Sequence, residues 1–163
     1  MIFLDESAIR DSFVNASRKE VSDLTLPADL ATVDWDALDY LGWRDPKAAK
    51  RAYIVVPTDD GPVGIILKQA EASPRSRAQC SWCQDIRLPN DVVLYSARRV
   101  GPAGRNGNTV GTLICSEFQC SANVRTLPPS AYLGFDREAA RQQRIDVLRE
   151  RASDFALGIK LGL

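Results

Sequence analysis

The amino-acid sequence predicts an α+β fold in which antiparallel β-hairpins are flanked by helices. Two β-rich runs, AYIVV (residues 52–56) and VGIILKQ (residues 63–69), lie on either side of TDDGP, which is a strong turn signal. A second pair of runs, residues 91–99 and 109–115, flanks a segment rich in glycine and asparagine. Each pair is therefore predicted to form a hairpin. Residues 137–157 show the apolar periodicity of a helix.

The N-terminal residues 5–20 have the pattern of one amphipathic helix, capped by Asp5 or Ser7. Its predicted apolar face consists of Ile9, Phe13 and Ala16. Pro27 ends this region, and an acidic segment, residues 29–45, follows with one short helix predicted before Gly42. The residues expected to contact the core there are Trp35, Leu38, Leu41 and Trp43. The carboxylates expected to form a solvated acidic face are Asp34, Asp36, Asp39 and Asp45.

The polar, proline-containing segment 71–79 is the predicted internal boundary. It would separate an α+β N-terminal portion, residues 1–79, from a second portion, residues 80–163. We expect both portions to form one compact domain over residues 1–163, because this length suits a single domain.

The second portion continues with alternating strand residues: Val92, Leu94 and Ser96 on one side, Val93 and Tyr95 on the other. Residues 100–108 suit a β-turn in which Asn106-Gly107 needs a positive φ. A phosphate-binding loop is the alternative, but the Lys-Ser/Thr of a P-loop is missing. A short helix is predicted at residues 120–124 and a loop at 127–135, where two prolines prevent a helix. Asp136 is the predicted N-cap of the C-terminal helix. Its apolar stripe is Ile145, Leu148, Ala152 and Phe155, continued toward the start by Arg137, Arg141 and Arg144.

The net charge is zero, from 21 basic and 21 acidic residues, which argues against bulk attraction to nucleic acid or a membrane. The charge is nevertheless uneven. Residues 1–70 carry a net charge of −4 and residues 71–163 a net charge of +4. No apolar run reaches the roughly 20 residues that span a bilayer, and MIFLDESAIR has no basic n-region of a signal peptide. We therefore expect a cytoplasmic protein without membrane contact.

The four cysteines follow a C-x2-C, 31-residue, C-x4-C pattern: Cys80, Cys83, Cys115 and Cys120. The intervening strand, turn and strand would bring the second pair back beside the first. A knuckle, a hairpin and a ligand pair at a helix start form the order of a treble-clef zinc finger. In a reducing compartment these thiols indicate one structural zinc ion rather than disulfides. A redox pair and an iron–sulfur cluster on the same four thiolates are the alternatives.

Four cysteines would fill the tetrahedral shell of the ion, whereas catalytic zinc keeps an open position. The chain also has no histidine, so the usual general base near neutral pH is missing. The sequence therefore predicts a non-enzymatic protein.

Aromatic and arginine residues of the second portion are candidates for contacting a partner, because both types are enriched in interfaces. They are Trp82, Arg98, Arg99, Arg105, Phe118 and Arg125. Trp82 and Phe118 have the alternative role of packing the core beside the metal. The arginines suit either RNA or an acidic protein surface.

Four segments resemble the elongation factor G-binding proteins of the FusB fusidic acid resistance type. They are CSWCQDIRLPNDVVLYSARR (80–99), GRNGNTVGTLICSEFQCSANVR (104–125), LGFDREAARQQRIDVLRERASDFA (133–156) and LGWRDPKAAKRAYIVV (41–56). The resemblance covers nearly the whole chain and corresponds to the C-terminal domain of that family.

This resemblance implies a mixed α and β domain with a four-cysteine treble-clef finger whose ligands match Cys80, Cys83, Cys115 and Cys120. It also implies binding to elongation factor G, with release of that factor from the ribosome as the associated activity. The helical N-terminal domain of the resistance proteins has no counterpart in the sequence, so drug resistance is implied less directly. We expect a monomer, with RNA or ribosome binding as the alternative function.

Overall fold

The computed structural model describes residues 1–71, 78–87 and 89–163, and it contains one five-stranded antiparallel sheet with helices on both faces. The strands are β1 (Leu41–Arg44), β2 (Arg51–Thr58), β3 (Gly61–Gln69), β4 (Val92–Arg98) and β5 (Thr109–Cys115). The helices are α1 (Glu6–Asp11), α2 (Arg18–Ser22), α3 (Gly101–Arg105), α4 (Cys120–Arg125) and α5 (Arg137–Leu161). Most of the predicted connector at residues 71–79 lies outside the described residues.

The strands lie in the order β1-β2-β3-β4-β5, so each strand pairs with its neighbours in sequence. Both predicted hairpins are confirmed, with Ile54 opposite Ile65 in the first and Tyr95 opposite Thr112 in the second. The two hairpins join through a short β3–β4 ladder, which pairs Lys68 with Ser96. One sheet therefore includes strands from both halves of the chain.

Strand β2 is buried on both faces, because helices cover the sheet from both sides. Ala52, Ile54 and Val56 face the core that α5 covers. Tyr53 and Val55 face a second core that is closed by the N-terminal segment. Among the described residues, no helix combines the length and apolarity that crossing a bilayer requires.

The prediction of one helix over residues 5–20 is wrong, since α1 and α2 are separate helices. Between them Phe13 forms a β-bridge with Gly64. The backbone amide of Gly64 donates to the Ser12 carbonyl at 2.8 Å, and a Cβ at Gly64 would lie 2.5 Å from the Ser12 hydroxyl oxygen. The predicted Asp5 cap is confirmed, as its carboxylate accepts a hydrogen bond from the Ala8 amide. Ser17 then starts α2 with a capping box, which favours a new helix there.

The short helix predicted before Gly42 is also replaced by other structure. Two 3₁₀ turns, Leu30–Thr32 and Trp35–Ala37, lie in this segment. Strand β1 follows them and was not predicted from the sequence. Leu41 and Trp43 are buried as expected, and the Trp43 indole donates to the Thr25 carbonyl at 2.9 Å. The four residues of β1 alternate between buried and half-buried, but so short a run is ambiguous in the sequence alone.

The glycine-rich segment forms a helical turn rather than a simple β-turn. Pro102 lies at the start of α3, where its fixed φ suits a helix. Gly104 packs so closely on the Arg99 carbonyl that a Cβ would lie 1.7 Å from its oxygen. The predicted positive φ is found at Gly107, at +82°, whereas Asn106, the C-cap of α3, has a φ of −80°.

The predicted C-terminal helix is confirmed and extends to Leu161. Asp136 caps it by accepting a hydrogen bond from the Ala139 amide at 2.9 Å. Its buried stripe is Ile145, Leu148, Ala152, Ala156 and Ile159. Phe155, which was predicted to belong to the stripe, is half-buried against the same core. The helix therefore fixes the finger to the sheet along most of its length.

Candidate metal centre

The four cysteines converge at one end of the second hairpin. Cys80 and Cys83 lie in the turn before β4, Cys115 ends β5, and Cys120 begins α4. Since Val92 pairs with Cys115, the hairpin returns the chain to the knuckle from which it started. All four side chains are buried, and their sulfur atoms lie within 4.8 Å of one another.

The sulfur spacing fits a single tetrahedral ion. A zinc ion with Zn–S bonds of about 2.3 Å requires sulfurs about 3.8 Å apart. The Sγ atoms of Cys80 and Cys120 are 3.6 Å apart, and those of Cys83 and Cys115 are 3.7 Å apart. A disulfide would bring two sulfurs to about 2.05 Å. A cluster of several iron and sulfide atoms occupies more room than one ion, so it would hold the thiolates further apart.

Asn123 holds two of the thiols and was missed in the sequence. Its Nδ2 donates to the Sγ atoms of both Cys83 and Cys115 at 3.5 Å, and its Oδ1 accepts from Asn90 at 2.9 Å. Hydrogen bonds to ligating groups orient them and raise metal affinity. Asn123 lies three residues after Cys120 on a helix, so the CSAN spacing already placed it on the same face.

The thiols also influence one another's protonation. Hydrogen bonds from Cys115 and Cys120 lower the pKa of Cys80, and those from the same two residues lower the pKa of Cys83 to about 7. Hydrogen bonding to Cys115 raises the pKa of Cys120 well above its ordinary value. The cluster thus retains some protons that a bound metal ion would displace.

The sequence matches the FBP C-terminal treble-clef zinc-finger family over residues 8–159. The chain belongs to this family. Membership and the single-ion spacing of the four thiols together identify one zinc ion as the cofactor of the finger.

A solved structure with a similar fold is that of the fusidic acid resistance protein FusC. The two chains share 23% sequence identity with a TM-score of 0.50, and the match covers 65% of this chain. The chain spans 47% of the FusC chain, or about half its length. A comparison with curated proteins finds no match.

Two aromatic residues that were candidates for partner contact lie inside this zinc-finger domain. Trp82 is 3% exposed and packs edge-to-face on Tyr40, with ring centroids 5.0 Å apart. Phe118 is 8% exposed and stacks on Tyr95 at 5.4 Å. Both side chains therefore pack in the core beside the metal centre, as the alternative to partner contact expected.

Arg125 is engaged by a buried carboxylate. Its guanidinium contacts Asp39 at 2.5 and 3.2 Å, and the Arg149 Nε donates to the same carboxylate at 2.9 Å. The Asp39 side chain has no exposed area. The expectation of a solvated acidic face is thus wrong at Asp39, and also at Asp45, which is buried against the Tyr53 hydroxyl.

The remaining candidate arginines lie at the other end of the hairpin. Arg98 pairs with Thr109, whereas the zinc-proximal pair is Val92 and Cys115. Six residues of strand separate the two ends, or about 20 Å. Arg99 follows β4 and Arg105 ends α3, so these three arginines do not form one surface with the finger.

Arg144 connects the finger loops to α5. One of its nitrogens donates to the Asp85 carboxylate at 3.0 Å and to the Asn123 carbonyl at 3.2 Å. The other donates to the Thr126 carbonyl at 3.1 Å. The sequence pattern placed Arg144 on the inner stripe of α5, but gave no sign that it joins both loops.

Proposed function

We propose that this protein is a non-enzymatic binding module that attaches to elongation factor G through the zinc finger. Membership of the FBP zinc-finger family and a fold shared with a fusidic acid resistance protein support this proposal. The structural observation that carries it is four exposed apolar side chains in the two chain segments that follow the zinc-ligand pairs in sequence. We call them the finger strip: Ile86, Leu127, Tyr132 and Leu133.

The finger strip is exposed yet held in place. Ile86, Tyr132 and Leu133 are 66%, 67% and 103% exposed. Arg144 fixes the residues next to Ile86 and Leu127, because it contacts both Asp85 and Thr126. Arg137 donates to the Pro128 carbonyl at 2.6 Å and so ties the same loop to α5. A loop whose backbone is already held loses little backbone entropy on binding, which suits a protein interface.

A binding role agrees with the chemistry of the metal centre. We propose that Cys80, Cys83, Cys115 and Cys120 all ligate the zinc, which leaves no coordination position for water or substrate. The absence of histidine from the chain removes the commonest partner for acid–base catalysis. The ion would then act by holding the finger loops in shape.

Trp82, Phe118 and Arg125 would support this surface from below rather than contact the partner. Arg98, Arg99 and Arg105 lie too far along the sheet to contribute to the same contact. We propose that the protein is a cytoplasmic monomer that promotes release of elongation factor G from the ribosome. Protection against fusidic acid is a further part of this proposal.

Titration calorimetry of the zinc-loaded protein with purified elongation factor G tests the proposal. The double substitution of Tyr132→Ser and Leu133→Glu should weaken binding by more than about tenfold, as loss of interface hot spots does. Leu161→Glu is the matched control, because Leu161 is similarly exposed at the far end of α5. No binding by the unsubstituted protein, or equal binding by both variants, would argue against the finger strip as the contact.

A further inference from the structure

A row of basic side chains crosses the sheet face opposite α5. Arg51 pairs with Lys68 across β2 and β3, and Lys68 pairs with Ser96 across β3 and β4. Because alternate residues of a strand share a face, Arg98 lies on the same side as Ser96. Arg51 alternates with Ala52, which faces the α5 core, so this row lies on the other face. We call Arg51, Lys68 and Arg98 the basic row.

The basic row is accessible. Arg51 and Lys68 are exposed, and no carboxylate in the described part of the chain lies within 4.0 Å of their charged nitrogens. The Arg98 side chain is 55% exposed, and its ion-pair partner Glu20 is 3.9 Å away. Glu20 is already held by the Ser17 amide and hydroxyl, each at 2.8 Å. Arg98 also donates to the Asn15 carbonyl at 3.3 Å, and Arg51 hydrogen-bonds to the Tyr53 hydroxyl. An anionic ligand would add to these contacts at the exposed ends of the side chains.

Other charged residues lie in the segments next to the basic row. Arg18 and Lys19 lie in α2, which also carries Glu20, and Lys50 precedes β2 and pairs with Glu71. Asp45 lies near Arg51, but its carboxylate is occupied by the Tyr53 hydroxyl. The basic row and Lys50 carry four positive charges against the three carboxylates of Glu20, Asp45 and Glu71, a net charge of +1 in a chain that is neutral overall.

The geometry favours a phosphate backbone over an acidic peptide. The three cations of the basic row lie on adjacent strands about 4.8 Å apart, so they follow a line of charge rather than surround one point. Strands β2, β3 and β4 are internal to the sheet, so they offer no free edge to an extended peptide. The neighbouring pocket of about 490 Å³ is lined by three cations, Lys50, Arg51 and Lys68, by the single carboxylate of Glu20 and by aliphatic groups, without an aromatic ring.

We propose that this basic face binds the phosphate backbone of RNA, independently of base sequence. Lysine and arginine side chains contact phosphates and release condensed counterions, which makes such binding strongly dependent on salt. Since the basic row contains no aromatic ring and no side chain that reads one base in particular, it supplies affinity without sequence selection. The RNA site differs from the zinc finger, so a protein partner could occupy the finger strip at the same time.

Fluorescence anisotropy of the zinc-loaded protein with a labelled 20-nucleotide RNA hairpin tests this site. If about four phosphates are contacted, affinity should fall about 100-fold between 50 and 200 mM KCl. The triple substitution of Arg51→Gln, Lys68→Gln and Arg98→Gln should weaken binding at least tenfold and reduce the salt dependence. The control carries the same change of charge elsewhere, as Arg105→Gln, Arg141→Gln and Lys160→Gln, and should retain most of the affinity.

Several results would overturn this assignment. They are no RNA binding at 50 mM KCl, equal losses in the two triple variants, or displacement of the RNA by polyglutamate at lower concentration than by unlabelled RNA. The last result would assign the face to an acidic protein instead. Calorimetry of the basic-row variant with elongation factor G should match the unsubstituted protein, which separates this site from the finger strip.

Discussion

Asp39 and Arg125 form an ion pair that joins the acidic first third of the chain to the zinc finger. Arg125 ends α4, the helix that begins at Cys120, and Asp39 directly precedes the segment that enters β1. The Asp39 backbone amide also donates to the Ser121 hydroxyl at 2.9 Å. The acidic segment thus holds the finger helix at both a side chain and a backbone group.

Asp39→Ala should destabilise the protein by about 2–4 kcal/mol, because it leaves the guanidinium groups of Arg125 and Arg149 without their carboxylate. Both arginines remain partly exposed, which limits the cost. Urea unfolding of the zinc-loaded protein measures this change. Asp36→Ala is the control, since Asp36 is exposed and its loss should cost less than about 0.5 kcal/mol. Equal losses in the two variants would show that the ion pair adds nothing.

Gly42→Ala should destabilise the protein by about 1–3 kcal/mol, because the added methyl group would collide with the Phe118 ring. A Cβ at Gly42 would lie 2.6 Å from the Cγ of Phe118. Thermal unfolding compares this variant with Gly158→Ala, where no atom lies within 4 Å of the new methyl group. The second change lies inside α5 and should stabilise the protein by about 0.5–1 kcal/mol. A stable Gly42→Ala variant would mean that Phe118 can move away.

The sequence predicted the hairpins, α5 and the metal cluster because each depends on local signals. TDDGP, the Asp136 cap and the cysteine spacing can all be recognised within one segment. The two N-terminal helices were predicted as one because the break between them depends on a β-bridge from Phe13 to Gly64. These two residues are 51 positions apart in the sequence. The periodicity of residues 5–20 carries no information about that distant partner.

The candidate partner residues also show that local sequence does not reveal distant contacts. Aromatic and arginine residues occur both in interfaces and in cores, and only tertiary contacts separate the two. Trp82 is buried because Tyr40 and Phe155 cover its ring. The exposed finger strip was missed because Ile86 and Leu133 resemble core residues in the sequence. Buried Asp39 was missed because its two arginine partners lie 86 and 110 positions away.

Asn123→Ala should lower zinc affinity by about 10–100-fold, as loss of hydrogen bonds to ligating groups does. Competition with a chromogenic chelator measures the affinity, and metal analysis should find one zinc per unsubstituted chain. Cys115→Ser removes one of the four thiols, so it should abolish zinc binding and destabilise the fold. Asn106→Ala is the matched control for Asn123→Ala, because Asn106 is exposed at the far end of the hairpin. Equal affinity in the two asparagine variants, or iron in place of zinc, would contradict this assignment of the site.

Asp45 should contribute stability that is lost in acid. Burial opposes its ionisation, but hydrogen bonds from the Tyr53 hydroxyl and the Lys47 and Ala48 amides hold its pKa below the ordinary value. The unfolded state therefore takes up a proton first as the pH falls below about 4. The contribution is fully present above that pH and disappears as the pH falls through the lower folded-state pKa. Asp45→Asn should accordingly be less stable than the unsubstituted protein at pH 7, by an amount that shrinks toward pH 3.

Urea midpoints at pH 7, 5 and 3.5 measure this convergence. Tyr53→Phe separates the hydrogen bond from general charge effects, because it retains the carboxylate and removes the donor at 2.5 Å. Without that donor the pKa of Asp45 should rise, so Tyr53→Phe should lose less stability between pH 5 and 3.5 than the unsubstituted protein. A constant difference between Asp45→Asn and the unsubstituted protein at all three pH values would contradict the lowered pKa. In that case Asp45 would stabilise the β1–β2 connection through hydrogen bonds that do not depend on its charge.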